Sequence, residues 1–136
     1  MTGEAGETSR DTLINRGMEH RDMERVPLDA VDSTEAVPGV HLAQLAVGEE
    51  MSVQHFHIEA GEDVPEHSHP HEQTGYIVEG ELTFVVGDEK EEVVVGPGDS
   101  YVIPGDELHG AENRGDVAVK GIDVFSPPRA NPDWQE

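Results

Sequence analysis

At 136 residues the chain has room for one domain with a real core, and not for two. Thirty Asp and Glu against eight Lys and Arg give a formal charge of −22, so there is no basic patch to neutralise phosphates and a nucleic-acid partner is excluded. With no cysteine, disulfides and thiolate ligands are also excluded, and no apolar run approaches the roughly 18 residues of a membrane span.

The acids are not confined to a tail: Glu49–Glu50, Glu62–Asp63, Asp88–Glu92 and Glu107–Glu112 lie along the whole body of the chain. Such self-repulsion weakens a compact domain at low salt, where screening is long-ranged. The expectation is a salt-loving host with molar internal salt; the alternative is an ordinary acidic bacterial protein. The opening MTGEAGETSRD lacks the basic-then-apolar layout of a secretory signal, which leads us to expect a cytoplasmic protein.

Residues 1–24 are polar and charged, with Leu13, Ile14 and a few methionines as anchors, and are read as a loosely packed or disordered arm. TLINRGMEHRDMER could form a short helix, but Gly17 interrupts it and its apolar spacing is poor. The domain proper is expected over residues 25–136. Short apolar or alternating runs predict seven strands: Val40–Val47, Ser52–Glu59, Thr74–Glu79, Leu82–Val86, Glu91–Val95, Ser100–Ile103 and Val117–Phe125. Turn signals separate them, among them Gly87-Asp88, Gly96-Pro97-Gly98 and Pro104-Gly105-Asp106. Many short strands without a helical period predict an all-β sandwich or barrel. The segment from Ser126-Pro127-Pro128 onward cannot continue a central strand, because proline supplies no ladder N–H.

Four of the eight histidines crowd around His67-Ser68-His69-Pro70-His71-Glu72-Gln73 and the later His109. Residues i and i+2 of a strand share a face, so His67 and His69 point together, and Gln73 has the same parity beyond the Pro70 kink. His109 follows a separate turn and is expected from a neighbouring strand. Three imidazoles and one amide oxygen make a neutral donor set suited to one divalent Ni, Zn, Fe, Mn or Co. The alternative is a histidine-rich surface loop that binds metal only incidentally. His71 is either close to the metal or a solvated loop residue. His55 and His57 share one face of their strand, with the barrel cavity favoured over solvent; His20 and His41 are read as surface residues.

Spacing separates these alternatives. Gly61, His67, His69, Gln73 and Gly80, followed by Gly98, Pro104, His109 and Asn113, resemble the two signature motifs of the cupin superfamily over residues 40–125. The resemblance implies a jelly-roll barrel (double-stranded β-helix) and a metal on His67, His69, Gln73 and His109. Two positions depart from the pattern. Gln73 stands where glutamate is usual, which leaves the full +2 on the metal and makes a stronger Lewis acid. It also disfavours oxidative chemistries that employ that glutamate as a base. Asp106 stands where glycine is usual, a change expected to affect only the turn.

In Gly121-Ile122-Asp123-Val124-Phe125-Ser126-Pro127-Pro128-Arg129, Asp123 and Phe125 share a face and a rigid Pro-Pro pair places Arg129. An Asp among apolar strand residues is buried with a partner or faces a cavity; the alternative is an outward, solvated Asp followed by an ordinary tail Arg. This segment with His-Ser-His-Pro-His-Glu-Gln is similar to the pectin-degradation cupins, which convert 4,5-unsaturated uronates to linear keto sugars. That resemblance implies roles in activity for Asp123, Phe125 and Arg129, a small anionic sugar-acid ligand and a homodimer. Other activities hosted by such barrels are metal-dependent dioxygenation or thiol oxidation, and non-catalytic binding of a small acidic ligand.

Overall fold

The computed structural model describes residues 23–129; the arm up to residue 22, most of the possible short helix and the last residues lie outside the described residues. Within it the chain is all-β apart from a 3-10 turn at Leu28–Ala30. The strands are β1 (Thr34–Val37), β2 (Val40–Val47), β3 (Ser52–Ile58), β4 (Asp63–His67), β5 (Glu72–Glu79), β6 (Leu82–Val86), β7 (Glu91–Val95), β8 (Ser100–Ile103), β9 (His109–Glu112) and β10 (Val119–Ser126). A six-stranded antiparallel sheet runs β1-β2-β3-β10-β5-β8, and a four-stranded one runs β4-β9-β6-β7. Among the described residues, no helix is long and apolar enough to cross a membrane.

Alternation in the sequence explains the central strands. Ser52, Gln54, Phe56 and Ile58 of β3 are buried while their neighbours are half-exposed, and β10 does the same with Val119, Gly121, Asp123 and Phe125. Each such strand presents one face to the interior and one outward. The core between the sheets is built from Val40, Phe56, Ile58, Ile77, Leu82, Phe84, Val95, Ile103, Ala111 and Val119.

Among the described residues ten strands form where the sequence predicts seven. The additional ones, β1, β4 and β9, carry little strand signal of their own: β4 reads Asp-Val-Pro-Glu-His and β9 reads His-Gly-Ala-Glu. Their order comes from partners, since β9 lies hydrogen-bonded between β4 and β6. Gly110 of β9 admits β4 closely, because a Cβ there would stand 3.0 Å from the Val64 carbonyl oxygen.

Register across the six-stranded sheet stacks the interior in layers. Leu42, Phe56, Gly121 and Ile77 form an apolar row. Gln44, Gln54, Asp123, Gly75 and Tyr101 form the next, and Ser52, Phe125, Gln73 and Ile103 lie beyond it. His55 and His57 belong to the opposite face. Their parity is odd against the buried Gln54, Phe56 and Ile58, so they lie on the outer surface with His41, whose Nε2 is 2.7 Å from Glu59 Oε2. The expectation that they line the barrel cavity is therefore corrected: one residue of register decides the face, and Phe56 and Ile58 take the inside.

Candidate metal centre

His67 ends β4 and His109 begins β9, and the two pair directly across the four-stranded sheet. Their ring centroids are 4.5 Å apart. His69 stands two residues beyond the end of β4, in the loop before β5 rather than in the strand. It is held there by its own backbone, whose carbonyl accepts the Asp106 N–H at 2.7 Å. Asp106 has φ +68, the left-handed conformation that explains why glycine suits this turn and that Asp tolerates better than most residues. Gln73 reaches in from β5 of the other sheet, so the site bridges the mouths of both.

The nitrogens of His67, His69 and His109 lie within 4.8 Å of one another. Each ring turns Nδ1 toward a backbone carbonyl: His67 to Pro65 at 2.9 Å, His69 to His71 at 3.2 Å and His109 to Glu107 at 2.9 Å. With Nδ1–H donating outward, the three Nε2 lone pairs are left to face inward, the arrangement that metal-binding imidazoles adopt. His69 Nε2 sits 3.1 Å from Gln73 Oε1. The Gln73 amide also hydrogen-bonds Asp123, which leaves its oxygen toward His69. Two acceptors so placed face each other unless a cation lies between them, and that fits a bound metal.

Burial favours the neutral form of His69 and His109. His69 is pushed down to about 4 by burial first, then by Arg129, His109 and His67. His109 is lowered chiefly by burial as well. Metal ligation requires the unprotonated ring, the form that the surroundings of His69 and His109 favour.

The three residues of the final strand and its exit also arrive here. Asp123, Phe125 and Arg129 line a cavity of about 330 Å³ together with His67, Gln73 and His109. Asp123 is 6% exposed, and burial pushes its carboxyl up to about 6 against the opposing pull of Tyr101, Gln73 and Arg129. Phe125 is 1% exposed, packs edge-on to His69 and carries the Arg129 guanidinium 5.3 Å from its ring centre. His71 stays beside the centre rather than in it: its ring is 5.4 Å from that of His69, and its Nδ1 is buried without a partner.

Tyr101 is the residue that sequence reasoning missed. Its hydroxyl donates to Asp123 Oδ1 at 2.5 Å, and burial together with that carboxylate raises its pKa. Gly75 makes the contact possible, because a Cβ there would lie 2.2 Å from the Tyr101 hydroxyl and 2.5 Å from Asp123 Oδ1. A glycine inside a strand marks such a close approach and was the available signal.

The cupin domain family matches residues 54–125, which include His67, His69, Gln73, His109 and Asp123. Among solved structures, KdgF from Halomonas sp. is similar at 26% identity and TM-score 0.72, over 80% of this chain and 97% of that one. An RmlC-like cupin from Shewanella frigidimarina is similar at 25% identity and TM-score 0.71, over 81% and 96%. The polyketide cyclase RemF from Streptomyces resistomycificus shares the fold at 22% identity and TM-score 0.69, over 76% and 79%. No curated protein matches the sequence. With more than half of its length matched, and with two antiparallel sheets closing on a histidine-lined cavity, the chain belongs to the cupin domain family.

Proposed function

We propose that this cupin converts a 4,5-unsaturated uronate to a linear keto sugar, with one divalent metal held by His67, His69, Gln73 and His109. The observation that carries this reading is the meeting of Asp123, Phe125 and Arg129 with the histidines around one cavity. The likeness to a KdgF points the same way. A bound divalent ion would supply positive charge for the substrate's oxygens and for enolate charge as it develops.

The chain's own residues divide the remaining work. Arg129 neutralises the substrate carboxylate and orients it, and Phe125 forms an apolar wall against the sugar face. Asp123 takes the proton from the anomeric hydroxyl as the C1–O5 ring bond breaks and the aldehyde forms. The electron pair of that bond goes to O5 as an enolate, and Asp123 returns the proton to its C4, so the net reaction is an isomerisation. A carboxyl raised to about 6 is suited to both halves, since neither protonation state is far from the working pH. Tyr101 and Gln73 hold it in place.

A second reading is a cupin that binds a small acid with an apolar body. It is favoured by the Val37, Val40, Leu42, Phe56 and Phe84 side of the same cavity. The experiment is turnover of an unsaturated monouronate in molar KCl, followed as loss of its conjugated ultraviolet absorbance above the spontaneous rate. Metal-dependent acceleration that His109→Ala abolishes and Asp123→Asn lowers in kcat is the expected result. A metal-loaded protein without acceleration would sink the uronate reading.

A further inference from the structure

Gln54 lies in β3 with its side chain in the cavity, beside Asp123 in register and one layer from Gln73. It is 7% exposed, yet among the described residues its amide has no hydrogen-bond partner. Asp123, its neighbour, is already engaged by Tyr101 and Gln73. Gln44, its neighbour on β2, leaves Oε1 buried and unpaired. Two opposed amides that served only to tie β2 to β3 would bond each other, and these do not. An amide that opens into a cavity without a protein partner keeps two donors and an acceptor for a ligand rich in hydroxyls.

We infer that Gln54 reads the hydroxyl groups of the ligand, making this cavity selective for a hydroxylated ring carboxylate over a hydroxyl-free one. The inference rests on the sugar-acid reading above and narrows it to a contact. It also answers the apolar side of the cavity. The aliphatic residues shape the space, while Gln54 supplies a polar contact on the same wall as Asp123. Sites built to hydrogen-bond a hydroxyl reject analogues lacking it more strongly than apolar pockets reject extra hydroxyls.

The test is binding, not turnover. Metal-loaded protein is titrated with D-galacturonate and with cyclohexanecarboxylate, which has a six-membered ring and a carboxylate without hydroxyls. The expected result is a preference for the sugar acid of roughly tenfold or more, removed in Gln54→Leu while the affinity for cyclohexanecarboxylate holds or improves. Metal content and Tm should not fall, since the substitution removes an unpaired polar group. Gln54→Met, closer in length, carries the same test if the leucine variant fails to fold. A wild-type protein without preference, a preference that survives both substitutions, or equal loss for both acids with a lowered Tm would each overturn the inference. A Gln54-dependent preference without turnover of the unsaturated uronate would leave this contact standing and remove the proposed reaction.

Discussion

Asp123 is a carboxyl group inside a β-sheet, and its environment favours the protonated form. Burial raises it to about 6 from an ordinary value of 3.8, which corresponds to about 3 kcal/mol. The raised value means that the folded state holds the proton more tightly. Its contribution to stability is therefore fully present below about 4 and lost as pH rises through about 6. His69 acts in the opposite sense: lowered to about 4, it contributes stability above about 6.5 that is lost on acidification. In chelated protein, Asp123→Asn should raise Tm relative to wild type at pH 8 and give little gain at pH 4. An equal Tm difference at both pH values would argue against an enclosed, titrating Asp123. At this scale the cluster of His67, His69 and His109, which could hold a metal ion, was legible because residue type announces it. Tyr101 and Gln54 were not, since a tyrosine or glutamine in an alternating strand looks alike whether it faces a cavity or water.

Strands and turns position these residues through a few shared hydrogen bonds. Asn113, 1% exposed, donates Nδ2 to the carbonyls of Ile58 at 3.1 Å and Val117 at 2.9 Å, while its Oδ1 accepts the Gly115 N–H at 3.1 Å. One side chain thus joins the end of β3, the exit of β9 and the turn leading to β10. Asn113→Ala strands two carbonyls and one N–H, and should cost roughly 2–4 kcal/mol, read as a lowered urea midpoint with unchanged slope. A variant within 0.5 kcal/mol of wild type (roughly the noise of a surface change) would refute that role. The motif that includes Asn113 was visible in the sequence, but its purpose as a tie between non-adjacent strands was not. Strands β4 and β9 were missed for a related reason: short segments containing Pro65, Gly110 and acids become strands through pairing with neighbours rather than through propensity.

Charge governs the whole molecule. Lys90, Arg114 and Lys120 already pair with Glu66, Glu92, Glu112 and Glu79, so most of the 30 acids are left to solvent cations. Screening shortens from about 10 Å at 0.1 M salt to about 3 Å at 1 M. Tm should therefore climb with KCl, and a gain of ~2 kcal/mol would appear as roughly 5–10 °C. A flat profile from 0.05 to 2 M would oppose adaptation to high internal salt. The outer face of β10, β5 and β8 is the exception to this acidity: the rows Val124, Thr74, Val102 and Ile122, Tyr76, Ser100 contain no carboxylate. Tyr76 and Val102 are 46% and 58% exposed there. A second copy, as acidic as the first, would meet no carboxylate on these rows, and on that ground we propose a homodimer through this face. Sedimentation should give a dimer in molar KCl and a monomer for Val102→Glu; a wild-type monomer at every salt would exclude that interface.

Amino-acid order alone determined the all-β class, the central strands and the candidate metal-binding histidines, because alternation, turn residues and metal-ligand types are local properties of a chain. It also carried the acid balance, which needs no structure. Tertiary structure decided which side of β3 faces inward, sending His55 and His57 out and Gln54 in, since one residue of register reverses every side chain. It alone brought His67 opposite His109, Gln73 across from the other sheet, and Tyr101 over Gly75 onto Asp123. Those contacts join strands far apart in sequence: strand pairing within one sheet makes the first and the last, and only the Gln73 contact needs the two sheets to close on each other.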